Sequence, residues 1–172
     1  MLPEIQALVA ELENRKSMLI RTLAAYSNDI LQFRPESDRW SMLMTLQHII
    51  LGERAIRLSE AELRNNPVRR HLKTGHMLNF VIDTLEKDTP VEVPDKSVEP
   101  DGSMNLDDLI RTWDQERKLL GDLLEKVNEE TVKDVMFSHP AAGPLDPVGT
   151  LQLAIAHFDT HRRQIDRLIS ET

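Results

Sequence analysis

Hydrophobic positions recur every three to four residues over four long stretches of the chain, and no stretch alternates in the two-residue rhythm of a strand. The first stretch runs from about Pro3 to Gln32. Leu2, Ile5, Leu8, Leu12, Leu19, Leu23, Tyr26 and Ile30 form one stripe along it, and Pro3 suits a first helical turn. The link FRPESDRWS ends in Ser41, a good N-cap for a second helix from about Met42 to Arg64, which Asn65, Asn66 and Pro67 bring to a stop. A third helix begins at Asn105 or Leu106 and continues to about Asn128 on the stripe Leu106, Leu109, Ile110, Trp113, Leu120, Leu123, Leu124 and Val127. The fourth starts where Asp146 caps and Pro147 takes the first turn, and it runs to about Ser170.

Four amphipathic helices with no strands predict an all-α protein, a four-helix bundle filling one domain over residues 1–172. The connection from Pro67 to Ser103 is too long for a simple turn. It holds a short helix over Met77 to Glu86, whose Leu78, Val81, Ile82 and Leu85 cover one end of the bundle, and then an irregular stretch from Asp88 to Gly102. Such a long crossover lets the second and third helices run parallel.

Composition narrows the function more than the fold. Cysteine is absent, which excludes disulfides, thiolate nucleophiles and cysteine-based zinc sites; a transition-metal site must be built from histidine and carboxylate. The net charge of −8 weighs against nucleic acid as a partner, since that contact needs Lys and Arg on phosphate. No window approaches a membrane span, and the opening MLPEIQALVAELENRK mixes charge into its apolar pattern unlike a signal peptide, so a cytoplasmic location is expected.

The chemistry concentrates in HFDTH of the fourth helix. His157 and His161, four residues apart, stand one turn above each other beside the stripe of Leu151, Ala154, Phe158, Ile165 and Leu168, while Asp159, Arg163 and Asp166 turn toward water. This is the spacing by which one helix offers two nitrogens to a single ion. His48 interrupts the second helix's row Met44, Leu51, Ala55 and Leu58, and the two oddities explain each other if these helices face one another. Three imidazoles on one divalent ion leave a coordination position open, as catalytic sites do. Such a set suits zinc or nickel first, and copper or iron as well. Gln164, one turn beyond His161, is placed to orient a ligand. Trp40 and the crossover are expected at the pocket rim. His139, in MFSHPAAGPLDP, either packs its own loop or stands at the rim as a proton carrier or substrate contact. His71 and His76, in the crossover, are expected to be solvated.

FRPESDRWSMLMTLQHII and AHFDTHRRQIDRL together resemble the DinB/YfiT-like superfamily of metal-binding four-helix bundles over nearly the whole chain. The resemblance implies one metal ligand from the second helix and two from the last, which are His48, His157 and His161. FSHPAAG is similar to the branch that includes bacillithiol S-transferases. The resemblance implies a small-molecule substrate and a low-molecular-weight thiol as cosubstrate; a homodimer is expected from the superfamily resemblance and from more apolar surface than one thin bundle covers, with Ile20 and Leu31, off the first helix's main stripe, contributing. A hydrolase that activates water on its metal, and a non-catalytic metal-binding stress-response protein, are the competing readings.

Overall fold

The computed structural model describes residues 1–64, 66–87 and 96–172. Its elements in chain order are α1 (Pro3–Leu23), α2 (Asn28–Gln32), α3 (Met42–Arg64), α4 (Pro67–Arg70), α5 (Leu78–Glu86), a 3₁₀ turn (Lys96–Val98), α6 (Leu106–Leu124), β1 (Phe137–His139), β2 (Gly143–Leu145) and α7 (Pro147–Ser170). The long helices α1, α3, α6 and α7 are the bundle, so the all-α architecture stands.

Two of the predicted helix starts are made by the expected caps: Ser41 Oγ accepts from Met44 N–H at 3.2 Å, and Asp146 Oδ1 accepts from Gly149 N–H at 2.9 Å. The first helix is shorter than its stripe. It stops at Leu23, and Ser27 caps a separate turn by accepting from Ile30 N–H. That break swings Leu31 inward until it is 2% exposed, so it belongs to the core and not to a dimer face. The third bundle helix ends at Leu124 instead of Asn128. Lys126 and Val127 donate to carbonyls three residues back, and the Asn128 side chain takes the Glu130 and Thr131 amides, a local turn that competes with helix. The irregular stretch expected from Asp88 lies outside the described residues as far as 95.

Cross-helix pairs fix the topology. Gly102 lies against Met44, Trp113 and Arg117 reach Glu53, and Glu116 joins Arg54 and Arg57, so α3 and α6 ascend together as the long crossover predicts. Arg15 meets Asp159 and Arg162 meets Thr22, which sets α1 parallel to α7. The core fills both ends of the bundle. Leu19, Leu23, Leu46, Ile50, Trp113 and Ile165 occupy one end, and Ile5, Leu12, Ile56, Leu120 and Leu151 the other. Each such side chain contributes about 1.5–3 kcal/mol by leaving water.

A charged network crosses this interior. Glu53 takes two hydrogen bonds from Arg117, at 2.5 and 2.7 Å, and one from the Trp113 indole at 2.9 Å. Glu13 binds Arg117 from α1 at 2.9 Å, and the buried Lys16 stands over the Trp113 ring while paired with Asp114. Fully paired, these groups set the register of α1, α3 and α6; any one left alone would be costly.

Contrary to the strand-free expectation, residues 137–145 form a small antiparallel hairpin, with His139 opposite Gly143 and Gly143 at a φ of 71°. Ser138 N–H donates to Ser59 Oγ on α3, and Leu145 and Ala142 pack with Leu78, Val81 and Leu153 beneath α5. The short α5 lies alongside α7 rather than across the bundle's end: Leu78 meets Gly149, and the Leu85 carbonyl accepts from Thr160 and Arg163.

Candidate metal centre

α3 and α7 run antiparallel where the histidines meet. His48 Nε2 lies 3.1 Å from His157 Nε2, and His161 Nε2 lies 3.0 Å from the same atom. One ligand atom from each ring falls within 4.8 Å of the others. The α7 spacing stacks two rings on one face, with centroids 4.4 Å apart. His48 enters from the facing helix, and its ring centroid is 5.0 Å from His157 and 4.6 Å from His161.

The approach depends on Gly52. A Cβ there would stand 3.3 Å from His157 Cε1 and 3.7 Å from its Nδ1, so the ring lies against bare backbone one turn along from His48.

Two of the three rings have their outer nitrogen engaged. His48 Nδ1 donates to the Val98 carbonyl at 2.7 Å, and His161 Nδ1 donates to Gln164 Oε1 at 3.0 Å. A ring that donates from Nδ1 is in the tautomer with a lone pair on Nε2, the nitrogen that faces the other histidines. Metal-ligating histidines carry this outer hydrogen bond as a rule. Burial presses the His48 imidazole toward its neutral form, partly opposed by the Val98 carbonyl. His157 is held well below the ordinary histidine range by burial first, and then by the nearby charges of His161, His48 and His139.

The donor set fits a divalent transition ion. Two nitrogens about 2.0–2.1 Å from one ion stand roughly 3.0–3.4 Å apart when the angle between them is near 95–110°. The two Nε2 separations of 3.0 and 3.1 Å meet that requirement at its tight end.

The remaining residues singled out by sequence divide cleanly. Gln164 touches His161, and the half-buried Trp40 has its ring 4.9 Å from that of His48 and 6.5 Å from that of His161, so both adjoin the centre. His139 closes the hairpin. Its Nδ1 accepts from the Ala141 and Ala142 amides at 3.2 and 3.0 Å, which is the loop-packing role, and its charge still reaches His157. That double acceptance leaves the proton on Nε2. His71 binds Asp134, and His76 is exposed in a turn, so neither joins the triad. Arg163 departs from its expected exposure: half-buried, it leans onto the end of α5 through the Leu85 carbonyl, and Asp159 is tied to Arg15. Leu58, placed in the His48 row, is 49% exposed.

Two polar residues of α3 escaped the sequence reading. Gln47 and Glu53 are 8% and 6% exposed, and nothing in their spacing separates them from solvated positions. The available signal was Gln47 lying within a run of otherwise apolar residues around His48.

No curated protein matches the chain. A family model for the DinB superfamily matches residues 11–165, which takes in all of α3, α6 and the three histidines, and the chain belongs to that superfamily.

Proposed function

We propose that this chain is a metal-dependent enzyme, a thiol S-transferase in which His48, His157 and His161 hold a divalent ion, zinc or nickel foremost, and a low-molecular-weight thiol of the bacillithiol kind is the cosubstrate. The observation that carries the metal is the convergence of three Nε2 atoms, two of them on rings whose Nδ1–H is held by an oxygen behind. The thiol reading draws on the likeness of FSHPAAG to the transferase branch and on the absence of cysteine, so that a sulfur nucleophile must come from outside the chain. An ion held by three neutral imidazoles supplies a lowered pKa to a thiol or water at its remaining positions. The protein's own part is to hold those imidazoles in one tautomer, with Gln164 and Val98 behind them, and to wall the pocket with Trp40. His139, with its proton on Nε2, serves there as a hydrogen-bond donor to a substrate and not as a base.

Cobalt-substituted protein tests the reading. Adding the thiol is expected to produce sulfur-to-cobalt charge-transfer absorption in the near ultraviolet and, with monochlorobimane as electrophile, consumption of the thiol. His157→Ala should lose both signals together. Turnover of an ester or amide without a charge-transfer band would replace the transferase with a water-using hydrolase, and binding without turnover of either kind would leave a non-catalytic metal protein. The homodimer belongs to the same reading. With Leu31 buried, Met18, 58% exposed on α1, is the apolar position that helix offers, and light scattering at tens of micromolar decides it.

A further inference from the structure

We infer that Gln47 is a positioning residue for the metal centre: it clasps the end of the crossover, so that docking of residues 96–103 on α3 and ion binding by the histidines are coupled. The inference rests on the metal reading above. It concerns how the affinity of that centre is set.

The hydrogen bond that selects the His48 tautomer comes from an irregular segment. Val98 ends a single 3₁₀ turn, closed by Glu99 N–H on the Lys96 carbonyl at 3.2 Å, and a lone turn of this kind has little stability of its own. Its carbonyl can stay 2.7 Å from His48 Nδ1 only if the chain beyond it is anchored. Gln47 provides the anchor with both ends of its amide. Nε2 donates to Asp101 Oδ1 at 2.8 Å, and Oε1 accepts from Gly102 N–H at 3.0 Å. Asp101 Oδ1 also accepts from the Ser103 backbone and hydroxyl, at 2.9 and 2.7 Å, which fixes the loop's shape around the clasp.

Gly102 completes the fit. It sits at a φ of +70°, and a Cβ on it would come within 3.3 Å of Met44 Cγ. The loop therefore lies flush on the same stretch of α3 that carries His48. Gln47 and His48 are adjacent and both buried; Gln47 spends both ends of its amide on this one segment, and His48 its Nδ1.

Docked, the crossover presents a carbonyl that holds His48 with its Nε2 lone pair toward His157. Undocked, the ring is free to exchange tautomers and rotamers, and the ion meets a less organised ligand. Coupling of this kind is reciprocal, so an ion on the triad must also hold the loop down. Removing such an outer support typically weakens metal binding by about ten- to a hundredfold.

The experiment is a zinc titration against a competing chelator, paired with amide hydrogen exchange over residues 96–103. Gln47→Met is expected to bind zinc about ten- to a hundredfold more weakly, with faster exchange at Gly102 and Ser103 and unchanged helicity. Asp101 is exposed, so its variants should keep the fold: Asp101→Ala should reproduce the loss, while Asp101→Asn, which retains the acceptor oxygen, stays near wild type. The double variant Gln47→Met/Asp101→Ala should be no weaker than the worse single, because both open one latch. Zinc should slow exchange at Gly102 and Ser103 in the wild type and not in His48→Ala. Wild-type affinity in both Gln47→Met and Asp101→Ala, or loop exchange indifferent to zinc, overturns the coupling and leaves the metal centre standing. A wild-type chain that takes up no zinc or other divalent ion removes the metal reading and this inference with it.

Discussion

Replacing Glu53 by alanine would leave one of the most buried cations in the protein without its main partner. The Arg117 side chain is 6% exposed and that of Glu53 7%, and they share two hydrogen bonds; Glu13, the second acceptor, is 45% exposed and supports only one end of the guanidinium. The Trp113 indole N–H, on a ring that is 0% exposed, loses its acceptor as well. Breaking one side of a buried pair costs about 3–5 kcal/mol, because the remaining charge stays desolvated. With a Tm change of roughly 2–4 °C per kcal/mol for a chain of this size, Glu53→Ala should melt about 6–20 °C lower. The double variant Glu53→Met/Arg117→Met removes both charges and fills the space, and it should recover most of that loss. Calorimetry and urea unfolding of the four corners of the cycle measure the coupling directly. A single variant that loses less than about 1 kcal/mol, or a double variant as unstable as the sum of the singles, would show that this network does not hold α3 in register.

The other predictions concern the histidines. Each of His48→Ala, His157→Ala and His161→Ala should abolish stoichiometric metal binding and the metal-dependent rise in Tm while keeping helicity; His71→Ala, bound to Asp134 away from the triad, should change neither. Gly52→Val should weaken zinc by about tenfold or more and alter the cobalt spectrum, since even a Cβ there stands 3.3 Å from His157 Cε1; an unchanged affinity refutes the close-approach argument. For the metal-free protein, burial lowers the His48 and His157 pKa values, so acid protonates the unfolded chain first. Their contribution is present above about pH 6.5 and is lost as the pH falls through the folded-state values. The urea midpoint should therefore drop as the pH falls below about 6.5, and a midpoint that rises on acidification contradicts the assignment.

The pattern of apolar residues located α3 and α7 to the residue, because Ser41 and Asp146 announce their starts with side chains that cap in any context. The clustering of the three histidines was legible for a related reason: a four-residue spacing on a helix is a geometric statement, and His48 stands out in an apolar row. What escaped was whatever depends on a partner distant in sequence. Ser27 breaks the first helix because Leu31 finds a place in the core, and its stripe alone continues through the break. Three-residue strands are too short to show a rhythm, so the hairpin around His139 reads as loop. Gln47 and Glu53 are buried, and Arg163 half-buried, where Gly102, Arg117 and Leu85 meet them, and apart from the apolar run around Gln47 nothing in the sequence separates them from surface polar residues.

The two helices joined at the histidines are far apart along the chain, with 109 residues separating His48 from His157. An ion held by both would therefore be a tie, whatever chemistry it supported. It would close the chain into a loop of the size at which a covalent cross-link would restrict the unfolded ensemble by about 4–5 kcal/mol. In a protein with no cysteine, such a tie would do the work of a disulfide, and it would be undone by a chelator instead of a reductant. Metal supply would then govern how long the folded chain survives, independently of whatever reaction the ion supports.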